Sequence, residues 1–440
     1  MSLPPEFLLT EQATDAARDG NWFVVANYLE QLLGIAAVPG KQDTSTADGD
    51  DDWQRSLFLA LHVLKTGDFQ ARWEVAKLIP AFGEGAIAAL VELLQEEEAD
   101  EDARWFAARI LGNLSHAAVI PALLDLWQNS SSLDLQTIAA EALAHQGKQA
   151  IAVLVGLLDH PETRLLAVQA LAQIRNSETI PALLTVVQDP EPAVRAAALE
   201  ALSSFHDRPI PSVLVAALKD VAATVRQIAI RGLSVRADLA RELNLVAVIG
   251  DRLWDVNPTV CQEAAIALGR LGGEEARVLL SRALAGPVAP LNLQLVLVQA
   301  LARIGTDTAL ACLIESFCQP GLPAQVRYEI ITLLGRWPQP SLYPLVADAL
   351  IGLLQLPLVL NDAGLKSAIA LALGQLQQPT AMDWLINLLA EPNQSLRLHA
   401  IAALKALDAH GARQRLTSLM QQGDASDPLW EGAAIALREW

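Results

Sequence analysis

The side chains of this sequence that could do chemistry are few and scattered. Cys312 and Cys318 flank Glu315 in ACLIESFCQ, at the fourth, tenth and seventh positions of a helical pattern, so the three share one side of it. Two roles are open to the thiols, a reactive one and that of small fillers between stacked helices; the filler reading is preferred. His116, His145, His206 and His410 fall in turns between helices and could stack on one ridge. A metal site needs convergent ligands, and turn histidines are ordinarily solvated, so no metal is expected. GxSxG, a glycine-rich phosphate loop and HExxH are all missing from the sequence. Ten tryptophans stand out among few aromatics. Trp73, Trp105 and Trp127 read as core, whereas Trp384 points away from it, where a flat amphipathic ring could stack on a ligand or anchor a protein partner.

These residues are positioned by a repeat. In PALLTVVQDPEPAVRAAALEAL, Pro181 to Leu202, one helix ends, an Asp-Pro turn follows, and a second helix opens on Arg195. Aligned on that position, anchors recur at Arg72, Arg104, Gln136, Arg164, Arg195, Arg226, Cys261, Gln294, Arg327, Lys366, Arg397 and Trp430, at steps of 28 to 39 residues. Each anchor opens a first helix of the form R-x-x-A-x-x-A-L-G, and each unit's second helix reads A-I-P-x-L-L-x-L-L. A period near thirty with two amphipathic helices predicts a right-handed α-solenoid of about eleven or twelve helix pairs, in which no pair buries its apolar face alone.

Along the second helices, the fourth, seventh and tenth positions alternate with core positions and are expected to face a concave groove. Asp125, Gln128, Thr185, Gln188, Glu315 and Trp384 are the candidate binding residues on that face, with a protein client as the expected occupant.

Composition sets the boundaries. A net charge of -19 repels a phosphate backbone and argues against nucleic acid. Three cysteines are too few for a disulfide framework and suit a reducing compartment, so the cytoplasm is the expected location. The N-terminus lacks the features of a signal peptide. The charge-free stretch from Ala283 to Ala302 contains Pro287 and Pro290 and is expected to be a turn and a buried helix, not a membrane span. Residues 1–36 read as a leading helical hairpin or cap, 37–52 as an acidic flexible linker, and 53–440 as the repeat array. The run Glu96 to Asp102 is expected to be a solvated acidic loop, and the Asp-Pro, His-Pro, Asn-Pro and Glu-Pro pairs between units to be turn punctuation alone. Irregular steps near 236–244 and 356–364 insert residues that would project from or distort the stack, and Trp430 to Trp440 reads as a closing cap.

The segments IPALLTVVQD and DPEPAVRAAALEALSSF resemble HEAT-like repeats of the phycobilisome-lyase class. That resemblance, over roughly Trp53 to Trp440, implies a HEAT-like solenoid handling a phycobiliprotein or other photosynthetic-complex client. If the protein is an enzyme, it implies a bilin lyase, with an open-chain tetrapyrrole as a transferred ligand and no resident cofactor; it also leaves room for pairing with a second HEAT-like subunit. The Asn-His-Cys-Gln-Gly-Asn string of isomerising members is absent, and the nearest fragment, His145-Gln146-Gly147, lacks the cysteine. The alternative is a scaffold or assembly factor without catalysis, unrelated to bilins.

Overall fold

The computed structural model describes residues 5–36, 47–96, 98–286, 289–424 and 426–440. Among them are 26 α-helices joined by short turns and 3-10 segments, with no strand, and they form an α-solenoid of helix pairs. Two compact units divide the chain, Met1–Ile210 and Pro211–Trp440.

Helix starts follow from the turn residues. Asp68, Ser132, Asn257, Asp362, Asn393 and Asp427 each accept a backbone N–H of the first turn, and Pro161, Pro192 and Pro258 occupy N1, where no N–H is needed. The next contribution comes from the anchors. Arg164 Nε donates to Leu158 O at 2.6 Å, Arg195 Nη1 to Asp189 O at 2.8 Å, Arg226 Nη1 to Asp220 O at 2.8 Å and Arg327 Nε to Phe317 O at 3.0 Å. Non-arginine anchors do the same: Gln136 Nε2 reaches Ser130 O, Cys261 Sγ reaches Asp255 O, Gln294 Nε2 reaches Ala289 O and Trp430 Nε1 reaches Met420 O. These eight anchors therefore satisfy carbonyls left open where the preceding helix ends.

Anchor cations also bind forward. Arg72 meets Asp100 at 2.6 Å, Arg164 meets Asp189 at 2.6 Å, Arg226 grips both oxygens of Asp255 at 2.6 and 2.8 Å, and Lys366 meets Glu391 at 2.5 Å. Asp189 and Glu391 are the acids of two turns expected to be punctuation only. Their carboxylates also tie one repeat to the next, a tertiary role that local turn chemistry does not reveal. Hydrogen bonding from Arg72, against some burial, holds Asp100 below the usual carboxylate range.

Small residues set the stacking distance of the first helices. A Cβ on Gly112 would lie 2.9 Å from Ala142 Cα, one on Gly269 2.9 Å from Ala300 Cα, one on Gly335 2.9 Å from Ala372 Cα, and one on Gly374 2.8 Å from Ala403 Cα. The final G of the repeat faces an Ala one repeat on, and backbone meets backbone. Among second helices, Gly250 instead meets the side chain of Leu279, and Gly352 faces open space. Gly374→Val should therefore destabilise by about 1–3 kcal/mol through overpacking, while Gly352→Ala should stabilise by about 0.5–1 kcal/mol by removing helical glycine; urea unfolding of both variants reads the two signs.

The N-terminal hairpin is part of the stack. Pro5–Arg18 and Trp22–Ala36 pack against Ala47–Thr66 and Phe69–Leu78, with Val25 and Leu29 buried and the Trp22 ring edge-on to His62 at 5.6 Å. The expected linker at 37–52 is met by a helix that already begins at Ala47, six residues before the expected start of the array at Trp53; residues 37–46 lie outside the described residues. The helix begins inside the Asp-rich run, and composition alone does not distinguish a helix N-terminus from a flexible acidic segment. In the expected acidic loop 96–102, residue 97 lies outside the described residues, and Glu101 already opens the next helix.

The insertion near 236–244 forms a 3-10 turn at Ala237–Leu239, with Asn244 left-handed at φ 49°, while that near 356–364 forms the short helix Pro357–Leu360 and buries Val359. Helices Gly273–Leu284 and Leu291–Ile304 account for most of the charge-free stretch, in which residues 287–288 are outside the described ones. Among the described residues no helix is long and apolar enough to cross a membrane. The chain closes on Pro428–Arg438, where Gly432 lies against the Leu389 backbone.

Candidate protein-binding surfaces

Five of the six second-helix residues lie on helices whose other face is core, and Gln188 lies just past the end of one. On Val119–Asn129, Leu123, Leu126 and Trp127 are buried while Asp125 and Gln128 are exposed, and Asp125 accepts a 2.7 Å hydrogen bond from Asn129. Thr185 ends the helix Ile180–Thr185; its side chain is exposed, with Oγ1 donating to Ala182 O at 2.7 Å, and Gln188 is exposed just beyond it. Glu315 is exposed on Asp307–Cys318. Trp384, on Met382–Asn387, is half-buried rather than projecting freely. Asp125 and Gln128 adjoin one another, as do Thr185 and Gln188; Glu315 and Trp384 belong to the other compact unit.

Cys312 is half-buried, and the Arg277 Nη1 atom lies 2.7 Å from its sulfur. Hydrogen bonding to Glu274 raises the Arg277 pKa above its usual value; burial opposes this, and Cys312 adds to it. Cys318 is exposed and Cys261 is buried, where loss of solvent pushes its thiol pKa up. His116, His145, His206 and His410 are exposed. Among the described residues no group of three His, Cys, Asp or Glu comes together at a spacing that could hold a metal ion. The glutamine of His145-Gln146-Gly147 is structural: Gln146 Nε2 donates to Gly112 O at 2.8 Å and Leu114 O at 3.1 Å, capping the preceding first helix.

Two of the three tryptophans expected in the core are not there. Trp127 is 1% exposed, but Trp73 and Trp105 are half-buried on successive first helices, with the Arg109 guanidinium 4.3 Å from the Trp73 ring centre and 5.5 Å from that of Trp105. Exposed Phe69 and buried Phe106 extend the cluster. Both tryptophans directly follow an anchor arginine, a position turned away from the R-x-x-A-x-x-A core stripe; that register was the signal for a surface cluster.

A groove also lies on the first-helix layer of Pro211–Trp440. It encloses about 300 Å³ between Pro258–Leu271, Leu291–Ile304 and Ala324–Gly335, with Ile266, Val296 and Leu333 as apolar walls and Gln299, Arg303 and Arg336 as polar ones.

Three overlapping segments, residues 56–144, 87–162 and 151–234, and a separate one, 352–438, match the family of HEAT repeats and together make up more than half the chain. The chain belongs to the HEAT-repeat family. No curated protein matches this HEAT-repeat chain. Among solved structures it is similar to a mutant of Kap121p, with a TM-score of 0.59, 15% identity, and coverage of 98% of this chain and 53% of that one. Kap121p bound to the extreme C-terminus of the phosphatase Cdc14p gives 0.53, 16%, 98% and 53%, and importin beta gives 0.53, 14%, 98% and 66%. This HEAT-repeat chain thus spans about half the length of the Kap121p chain, and at such identities the likeness is one of fold.

Proposed function

We propose that this HEAT-repeat solenoid binds a protein client, and that the client is a phycobiliprotein or another component of a photosynthetic complex. The observation that carries the binding reading is that polar side chains at one register of the second helices, Asp125, Gln128, Thr185, Gln188 and Glu315, are exposed while their neighbours fill the core. The solenoid is held together without them, so they are free to serve recognition. The family match and the fold likeness to karyopherins, one of them solved bound to a phosphatase C-terminus, support binding of protein. The client class rests on the resemblance of the repeats to the phycobilisome-lyase class, as do a transferred bilin and a second HEAT-like subunit; a cytoplasmic site of action rests on the three cysteines, which suit a reducing compartment. Co-expression with a bilin pathway and a phycobiliprotein subunit tests the lyase reading: a visible absorbance band that follows the subunit supports it, and a colourless subunit leaves the scaffold.

Within the row, Trp384→Ala should weaken client binding most, by about 2 kcal/mol if the half-buried ring is an anchor, and Gln128→Ala should change it little. Unfolding and affinity measured on the same Trp384→Ala protein separate recognition from packing, because a destabilised protein with unchanged affinity removes Trp384 from the surface. A second reading is favoured by the Gly-Ala contacts. Closer spacing in the first-helix layer bends each unit's stack toward that layer, so its outward residues, Trp73 and Trp105 among them, would line the inner side.

A further inference from the structure

We propose that the groove on the first helices of Pro211–Trp440 takes an acidic peptide segment of a partner protein, with one apolar side chain entering between Ile266, Val296 and Leu333 and carboxylates meeting Arg303 and Arg336. The proposal extends beyond the second-helix row, none of whose residues line this groove.

Charge complementarity selects the occupant. The chain carries a net charge of -19, yet Arg270, Arg303 and Arg336 recur at intervals of 33 residues, each nine places after its anchor, at the C-terminal ends of three successive first helices. Arg270 is engaged, donating to Ser234 Oγ at 3.1 Å. Arg303 and Arg336 are exposed and, among the described residues, have neither an acceptor nor a carboxylate partner. Gln299, which lines the same groove, donates to Glu329 Oε1 at 2.7 Å, and no acid is among the lining residues. The apolar walls are half-buried rather than closed over. A volume of about 300 Å³ is at the lower limit of clefts that enclose a whole small molecule. It suits side chains of a segment lying across the surface, and a planar guanidinium binds carboxylate through two parallel hydrogen bonds.

The bland reading of the row is that arginines at helix C-termini only offset the helix dipole. Fluorescence anisotropy on the full chain decides between them. The probe is a fluorescein-labelled peptide with one leucine flanked on each side by two glutamates; controls carry lysines for the glutamates, or glycine for the leucine. The glutamate peptide should bind, both controls should bind at least about tenfold more weakly, and added salt should lower the affinity. The double variant Arg303→Gln, Arg336→Gln should lose at least about tenfold for the glutamate peptide, and Val296→Asp should lose as much, with circular dichroism showing both folded. Trp384→Ala should leave this affinity unchanged, which separates the groove from the second-helix row. Equal binding of the lysine and glutamate peptides by the unaltered chain would overturn the proposal without reliance on any variant. So would affinity within about twofold of the parent in the double variant.

Discussion

Asp255→Ala should cost about 3–5 kcal/mol in urea unfolding at neutral pH, because it leaves the Arg226 guanidinium buried without its counter-charge. Both side chains are almost sealed, at 8% and 4% exposure, and the pair is bidentate at 2.6 and 2.8 Å. Arg226 also holds the carbonyls of Asp220 and Val221, so the vacated carboxylate would disturb two turns at once. The pH dependence follows from the same geometry. Burial works to raise the Asp255 pKa, but the hydrogen bonds from Arg226 and from the Asn257 backbone N–H, with the charges of Arg226 and Arg252, keep it below the usual range. A carboxylate whose folded pKa is depressed contributes stability above its unfolded pKa, and this is lost as pH falls below about 4. The unaltered protein should thus lose stability through that range, and Asp255→Ala should lose less. The exposed Lys65–Glu96 pair is the contrast: Glu96→Ala should change stability by no more than about 1 kcal/mol. Equal costs for the two substitutions would show that burial of the Arg226 pair contributes nothing.

Leu183→Ala and Leu199→Ala should each cost about 2–5 kcal/mol, through lost transfer energy and a cavity that rigid neighbours cannot fill. Both side chains are 0% exposed, Leu183 on a second helix and Leu199 on the following first helix. The spread depends on collapse. Ala198 and Ala201 beside Leu199 hold helices at close distance, so its site should relax little and fall toward the upper end. A cost below about 0.5 kcal/mol for either, within the range of surface substitutions, would mean that the core contacts are looser than the solenoid described here.

Much of this architecture is legible from residue type and spacing. The alternation of R-x-x-A-x-x-A-L-G with I-P-x-L-L determines helix pairs, their order and which side of each is buried, since each follows from helical periodicity and from proline and Asx chemistry at helix starts. Leu183 and Leu199 are buried as that pattern requires, and Asp125, Gln128, Thr185, Gln188 and Glu315 are exposed. The acidic run before Trp53 was less legible, because Asp-rich composition serves both a solvated linker and a helix N-terminus.

Tertiary structure alone decided what the anchors hold. Periodicity locates Arg164 and Arg226, but only stacking brings Asp189 and Asp255, 25 and 29 residues later in sequence, to their guanidiniums. The register of Trp73 and Trp105 already turns them from the core stripe, but only stacking gathers both rings around Arg109 and sets Arg303 and Arg336 beside the apolar walls of one groove. The physical reason is that periodicity constrains one helix at a time. Contacts between repeats depend on rise and rotation from unit to unit, which packing of Gly against Ala fixes and a single helix pattern does not encode.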